Sequence, residues 1–338
     1  MNDGVVCFDL EGPLSPQDNA LELFNIIPAG KDIFAVISRY NYLLAIGGRT
    51  GHEPGDTLAL IHPFLFRYGI KPSAITKISR RSTLISGAKE LVNHCLAAGW
   101  HVYVVSTAYE PHARTVSRRL NLSSRNVIAT QVEKEYWNNG LSHDAKALIA
   151  EAESYIRQHF CGRPFDRDGF DEELKDYLDE LYLNRLPSVG IDVQSKLTTV
   201  IGGRRKVKAI ERIARRRKTY LQDLVFVGDS ITDAAAMQVI DVAGGLAISF
   251  NGNKFAVPNA TLAVASTSLL SLTPILDAWK EGGKTAVKTF VDFHSKESPW
   301  HSHDYLWNPK FNKDILQETI KRHNHFRRQV RQDAGPLG

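Results

Sequence analysis

Asp9 and Glu11 are the residues whose type and spacing most directly suggest chemistry. They stand in Asp9-Leu10-Glu11-Gly12, straight after the apolar run Val5-Val6-Cys7-Phe8. That position is the C-terminal end of an expected first strand, the edge at which open α/β sheets handle ligands. Side chains alternate along a strand, so the two carboxylates are expected to point the same way, and Gly12 lets the chain turn beneath an incoming anion. Two acids aimed at one spot repel unless a cation sits between them. A second acidic cluster, Gly228-Asp229-Ser230-Ile231-Thr232-Asp233, follows the apolar run Leu224-Val225-Phe226-Val227 and can hold that cation from the opposite side. The implied ion is Mg2+, which favours carboxylate oxygens, water and phosphate.

Positioning these acids requires strands. Val5 to Asp9, His101 to Thr107, Asn126 to Thr130, Leu224 to Asp229 and Leu246 to Phe250 are short apolar segments rich in β-branched residues or bounded by turn formers, and Thr261 to Ala265 reads as a sixth. Helical patterns fall between them at Gly87 to Ala98, Pro111 to Leu120, Val207 to Arg217 and Ala234 to Ile240, with another near Leu269 to Trp279. Strands alternating with helices imply an α/β fold, a Rossmann-like parallel sheet with both faces buried.

Two stretches break the alternation. Residues 15–83 contain helical candidates at Ala20 to Ile27, Ile33 to Ala45 and Thr57 to Tyr68, and read as a helical module inserted after the first strand. Residues 133–203 form a second, mostly helical insertion, in which Leu174, Leu178 and Leu181 place an apolar stripe on an otherwise acidic segment. The core is then 1–14, 84–132 and 204–282, and 283–338 is a basic, His-rich C-terminal extension. In that extension His294, His301, His303, His323 and His325 lack cysteine neighbours and regular ligand spacing, so they read as surface histidines rather than a metal site. Lys321 to Gln332 reads as a docking helix or a frayed basic end rather than a nucleic-acid arm.

The whole chain narrows the function classes further. Its 338 residues suffice for one large domain with insertions or for two domains. A net charge of +5, from 42 Lys and Arg against 37 Asp and Glu, does not call for nucleic acid. The basic runs Arg204 to Lys218 and Arg322 to Arg331 and the acidic run Asp166 to Glu180 are read first as solvated helix faces. Cys7, Cys95 and Cys161 are odd in number and scattered, which fits a reducing cytosol, with Cys7 as core filler. No stretch approaches the roughly 18 apolar residues of a membrane span, and no export signal opens the chain, so a cytoplasmic protein is expected.

The order of parts is an apolar strand ending in Asp9-x-Glu11-Gly12, a strand ending in Ser106, a lysine opening a helix at Lys206, and a strand ending in Gly228-Asp229 with Asp233 beyond. This resembles the haloacid dehalogenase-like phosphohydrolases, whose four motifs appear here in sequence across Val5 to Gly12, Ile85 to Thr130 and Gly203 to Leu276. Within that superfamily Ser86 to Leu91, Ala97-Ala98-Gly99 and Lys206 to Ala214 are similar to the phosphoserine phosphatase-like branch. Members with Asp-x-Glu-Gly include a phosphoserine:homoserine phosphotransferase-like group, whose second motif Ser106 to Glu110 also resembles, and the enolase-phosphatases. A largely archaeal set of predicted phosphatases has a similar Glu-Gly-Pro start.

The resemblance implies roles. Asp9 is the expected nucleophile, forming an aspartyl-phosphate. Glu11, where most relatives carry Asp, is the expected general acid and then base, and its backbone carbonyl joins the metal site. Ser106 and Thr107, with Gly12, are expected to meet the phosphate, Asp229 to bind magnesium directly and Asp233 to act through water or behind the other ligands. Lys206 is expected to neutralise phosphate and Asp9 together. Arg204, Arg205 and Lys208 compete for that place, and the helix register Val207-x-x-Ile210-x-x-Ile213 favours Lys206. The helical module 15–83 stands where one class of these enzymes has its cap, with Asp18 at the position of an acid that grips a substrate amine. Arg39 and Arg49 are the candidates for a carboxylate-binding arginine.

The expected function is a magnesium-dependent phosphatase acting on a small phosphorylated metabolite. Transfer to an alcohol acceptor, as in the phosphotransferase group, keeps every residue role. A non-catalytic interaction subunit, with the insertion or tail binding a protein partner, is the remaining alternative.

Overall fold

The computed structural model describes residues 4–132, 140–163, 171–193, 200–294, 303–307 and 312–331. Trp300, His301, Gln332 and the start of the acidic run at Asp166 lie outside the described residues. The chain divides into two compact units. One is Met1–Asp18, Arg80–Ala129 and Ile201–Gly338, and the other is Asn19–Ser79 with Thr130–Val200.

The first unit is built on a seven-stranded sheet of β1 (Val5–Phe8), β2 (His101–Tyr109), β3 (Val127–Thr130), β4 (Leu224–Gly228), β5 (Leu246–Phe250), β6 (Leu262–Ser266) and β7 (His303–Trp307). The order is β3-β2-β1-β4-β5-β6-β7. β1 is parallel to β2 and β4, β4 to β5 and β5 to β6, while β7 closes the edge antiparallel to β6. Every residue of β1, β4, β5 and β6 is buried. Helices cover both faces of such a sheet, which is why these strands read as continuous apolar runs instead of alternating ones. On one face Val6, Phe8, Val225 and Val227 pack with Leu91, Val116 and Leu276, and on the other Val5, Cys7 and Phe226 pack with Ile210, Ile213 and Met237.

Several boundaries differ from those read in the sequence. β1 stops at Phe8, so Asp9 and Glu11 lie beyond the strand and not in it. β2 continues past Ser106 to Tyr109, and its helix begins at once with Glu110–Arg119. The stretch from residue 283 belongs to the sheet unit and is no appendage. Val287 and Val291 enter the core, β7 adds a strand, and the helix Lys313–Arg331 lies against this unit. That last helix also corrects the reading of its residues as solvated. Thr319, His323, Arg327 and Arg331, spaced every four residues, are all buried. The i, i+4 spacing puts them on one helix face, and because the stripe is polar a search for apolar periodicity passes over it.

The second unit is helical and joins both insertions. Helices Asn19–Phe24, Gly30–Ile46, Thr57–Leu60, His62–Arg67 and Pro72–Ser79 come from the first, and His143–His159 and Glu172–Glu180 from the second. Leu174, Leu178 and Leu181 are buried, as their spacing predicts. Polar ties cross between the two stretches. Tyr40 donates to Asp179 at 2.5 Å, Tyr68 to Glu153 at 2.7 Å and Tyr182 to the Leu60 carbonyl at 2.7 Å. Among the described residues no helix is long and apolar enough to cross a membrane.

Burial of His112 and His323 in the sheet unit leaves both imidazoles neutral. Desolvation pushes each down to about 3, reinforced at His323 by Arg322 and Arg327. In the unfolded chain they titrate near the ordinary value of about 6.5. Below that pH the unfolded state takes up protons that the folded state refuses. Their contribution to stability is therefore complete above about 6.5 and is lost as pH falls toward about 3. His323→Gln, which keeps an acceptor for the Gly252 N–H, is expected to flatten the decline in stability between these limits. Urea unfolding at a series of pH values measures it, and an unchanged slope would contradict a neutral buried His323.

Candidate active site

The register of the sheet brings the two acidic segments together. β1 and β4 are adjacent, with Phe8 paired to Val227, and the ladder is prolonged by the Asp9 N–H donating to the Val227 carbonyl at 2.8 Å. Asp9 and Asp229 therefore leave neighbouring parallel strands at the same carboxyl edge. Each of Asp9, Asp229 and Asp233 contributes a carboxylate oxygen to a group in which all lie within 4.8 Å of one another. The three are 4%, 1% and 0% exposed, so solvent does little to screen them.

Lys206 answers part of this charge. Its Nζ lies 3.1 Å from Asp9 Oδ2 and 2.5 Å from Asp233 Oδ1, and the side chain is wholly buried. Arg204 and Lys208 are exposed and Arg205 is only half-buried, so among the four cations at this helix start Lys206 faces inward. The helix Arg204–Arg217 is launched by Gly203, whose φ of 51° and ψ of −127° suit glycine alone. Asp233 Oδ2 accepts the N–H groups of Asp229 and Ser230, both at 3.0 Å, and so closes the loop after β4 while its Oδ1 holds the lysine. Burial by itself would lower the Lys206 pKa, but Asp233 and Asp9 raise it, and the group is cationic. Burial pushes Asp9 up to about 7; Lys206 and the Leu10 N–H oppose this, while Asp233 and Asp229 add to it.

Asp229 is held differently. Gly12 has a φ of 116°, and a Cβ there would stand 2.2 Å from Asp229 Oδ2. The glycine thus makes room for a carboxylate of this chain, which the expectation of a turn beneath a substrate anion did not include. Oδ2 accepts from two arginines of the last helix, Arg327 and Arg331, the latter at 3.0 Å. Arg327 also donates to the backbone carbonyls of Asp229 and Asn251, at 3.3 and 3.4 Å. Asp229 Oδ1 is buried and has no hydrogen-bond partner among the described residues. A buried carboxylate oxygen without a donor, beside two further carboxylates, suits a hard divalent cation with oxygen ligands. Magnesium fits this donor set.

Glu11 is placed apart from the group of three. Its Oε1 lies 3.6 Å from Nε2 of the buried His112, on the helix that follows β2. Glu11 and Asp18 both act on buried Tyr109, whose pKa is raised by burial first and then by these two acids. Ser106 is buried and its Oγ accepts the Ala108 N–H at 3.2 Å. The Thr107 hydroxyl donates to the Ile201 carbonyl at 2.9 Å, tying β2 to the segment that leads into Lys206. Of the candidate arginines, Arg49 pairs with Asp179 at 2.5 Å and Arg39 with Asp171 at 3.4 Å, all within the helical unit. Sequence reasoning missed Arg327, Arg331 and His112. The four-residue spacing of the buried polar stripe was the signal for the first two.

Lys206→Met leaves Asp9 and Asp233 buried without their shared cation, and is expected to cost about 3–5 kcal/mol of stability. Urea unfolding measures this, and a loss below about 1 kcal/mol, the scale of a solvent-exposed pair, would contradict the shared buried charge.

A gene product from Archaeoglobus fulgidus superimposes over 99% of this chain and 99% of its own, with a TM-score of 0.83 and 23% identity, and so shares the fold throughout. A substrate-bound phosphoserine phosphatase and a phospho-aspartyl intermediate analogue of phosphoserine phosphatase each cover 81% of this chain and 98% of their own, at 14% and 15% identity and TM-scores of 0.49. No curated protein matches by sequence. Residues 8–170, from the end of β1 through β2 and much of the helical unit, match the family model described as haloacid dehalogenase-like hydrolase. Over those residues this chain is similar to the haloacid dehalogenase-like hydrolases, and beyond them it shares the fold of the archaeal protein.

Proposed function

We propose that this protein is a magnesium-dependent phosphatase that hydrolyses a small phosphomonoester through an aspartyl-phosphate on Asp9. The observation that carries this reading is the convergence of Asp9, Asp229 and Asp233 within 4.8 Å of one another, with Lys206 on Asp9 and Asp233, in a chain whose residues 8–170 match the haloacid dehalogenase-like hydrolase model. Asp9 and Asp229, together with the Glu11 backbone carbonyl, would hold the cation. Asp233, whose oxygens already serve Lys206 and two backbone amides, steadies the site from behind. When bound, the ion supplies positive charge that offsets the repulsion between a carboxylate nucleophile and a phosphate.

The chain's own groups do the rest. An Asp9 oxygen attacks phosphorus, and the bond from phosphorus to the leaving oxygen breaks. Glu11 gives that oxygen its proton, then takes one from the water that attacks the phosphoryl group, releasing inorganic phosphate and freeing Asp9. Lys206 stays protonated and lowers the cost of gathering negative charge at Asp9. Ser106 and Thr107 on β2, with the N–H groups near Gly12, orient the phosphate. The helical stretch 15–83, Asp18 included, acts as a cap that selects among small phosphorylated metabolites. Scattered, unpaired cysteines suit a cytoplasmic setting for this enzyme.

Purified protein with magnesium is expected to release phosphate from an aryl phosphate, to lose this activity in EDTA and to recover it when magnesium is restored. Asp9→Asn, checked for folding by circular dichroism, is expected to reduce turnover by at least about a thousandfold. Turnover that survives the substitution would remove Asp9 from its role.

A further inference from the structure

We propose that Arg327 and Arg331 are a resident cation pair of the active site, which neutralises Asp229 in place and makes the carboxylate cluster bind a divalent cation less tightly than it otherwise would. This rests on the reading of Asp9, Asp229 and Asp233 as a metal centre.

Among the described residues the cluster carries three carboxylates, and three cations reach them. Lys206 serves Asp9 and Asp233, and the two arginines serve Asp229. The formal charges of these six groups cancel. Burial makes the balance significant, since Arg327 is 2% exposed and Arg331 7% exposed. A guanidinium withdrawn this far from water needs a charged partner close at hand.

The arginines are fixed where they stand. Gly252 donates its N–H to His323 Nδ1 at 2.9 Å, one helical turn before Arg327, and Arg331 Nε donates to the Pro16 carbonyl at 3.3 Å. Arg327 donates to two backbone carbonyls as well as to the carboxylate. Asn251, which supplies one of them, sits at a φ of 48°, with its side-chain amide exchanging hydrogen bonds with Ser266 at 2.7 and 2.9 Å. A helix anchored by this many buried polar contacts is part of the site's architecture, and its arginines cannot swing aside at little cost when an ion arrives.

Both guanidinium groups use the same oxygen, Oδ2, which leaves Oδ1 for a cation. An ion there shares a carboxylate with two positive groups. Across a few ångströms of poorly screened interior, that repulsion opposes binding more strongly than the fixed orientation of Asp229 favours it. The same compensation lets the unit fold without the ion.

Isothermal titration of the intact protein with magnesium chloride, together with thermal unfolding in EDTA and in magnesium, tests this. Arg331→Met is expected to bind magnesium at least about tenfold more tightly than the unaltered protein, as loss of a nearby like charge requires. It is also expected to melt lower in EDTA and to gain more from added magnesium. Arg331→Lys, which keeps the charge, is expected to bind as the unaltered protein does. Arg331→Gln removes the same charge with a polar side chain and serves if the methionine variant does not fold. Equal or weaker binding by the neutral variants, or tighter binding by the lysine variant, overturns the inference and leaves the metal centre standing. No magnesium binding by any of these proteins overturns the metal centre, and this inference with it.

Discussion

Three carboxylates cannot be gathered within 4.8 Å and kept from water unless cations come with them, and this requirement organises the carboxyl edge of the sheet. Lys206 must enter in the first turn of its helix, which is why the helix begins from a glycine in a conformation other residues avoid. Asp233 must reach back to the amides after β4, or the loop bearing Asp229 has no fixed shape. Gly12 must lack a side chain, because the Asp229 carboxylate lies where a Cβ would be. Each of these residues owes its type to the charge it has to accommodate.

The sheet makes the gathering possible by placing β1 between β2 and β4. Segments far apart in the chain then run side by side, so that Asp9 after β1 and Asp229 after β4 meet at one edge, next to the strand that carries Ser106. The strand order also continues past β5 and β6 to β7, so the chain returns along that side of the sheet before its last helix. That route brings Arg327 and Arg331 to Asp229 from outside the motifs that define the rest of the site.

Much of this was legible in the sequence because its signals are local. Apolar runs marked β1, β2, β4 and β5, and the acids after β1 and β4 marked an edge where chemistry occurs. The amphipathic helix around Leu174 and Leu178 was equally plain. Other features depend on contacts that no local pattern carries. Alternation along a strand suggested that Asp9 and Glu11 share a direction, but the strand ends at Phe8 and the chain beyond it sends Glu11 toward His112. The two insertions looked separate because nothing in either announces Tyr40 meeting Asp179 or Tyr68 meeting Glu153. β7 is a short edge strand, and its neighbour β6 is what makes it one.

The last helix shows why polar burial is the hardest feature to read. A run containing Arg322, Arg327, Arg328 and Arg331 has the composition of a solvated end, and hydropathy cannot separate its buried members from its exposed ones. Position can: Thr319, His323, Arg327 and Arg331 share one face, while Arg328 is exposed on another. Packing alone does not account for the choice of residue, since an aliphatic side chain would fill the same face without the cost of desolvating a charge. Carbonyls such as those of Asn251 and Pro16 would be satisfied by neutral donors. What requires two guanidinium groups is the oxygen of Asp229 on which both converge. Two positive charges on one carboxylate exceed what that carboxylate needs, and the excess is the charge by which Asp9 and Asp233 together outweigh Lys206. The helix therefore balances the cluster as a whole and not one residue of it.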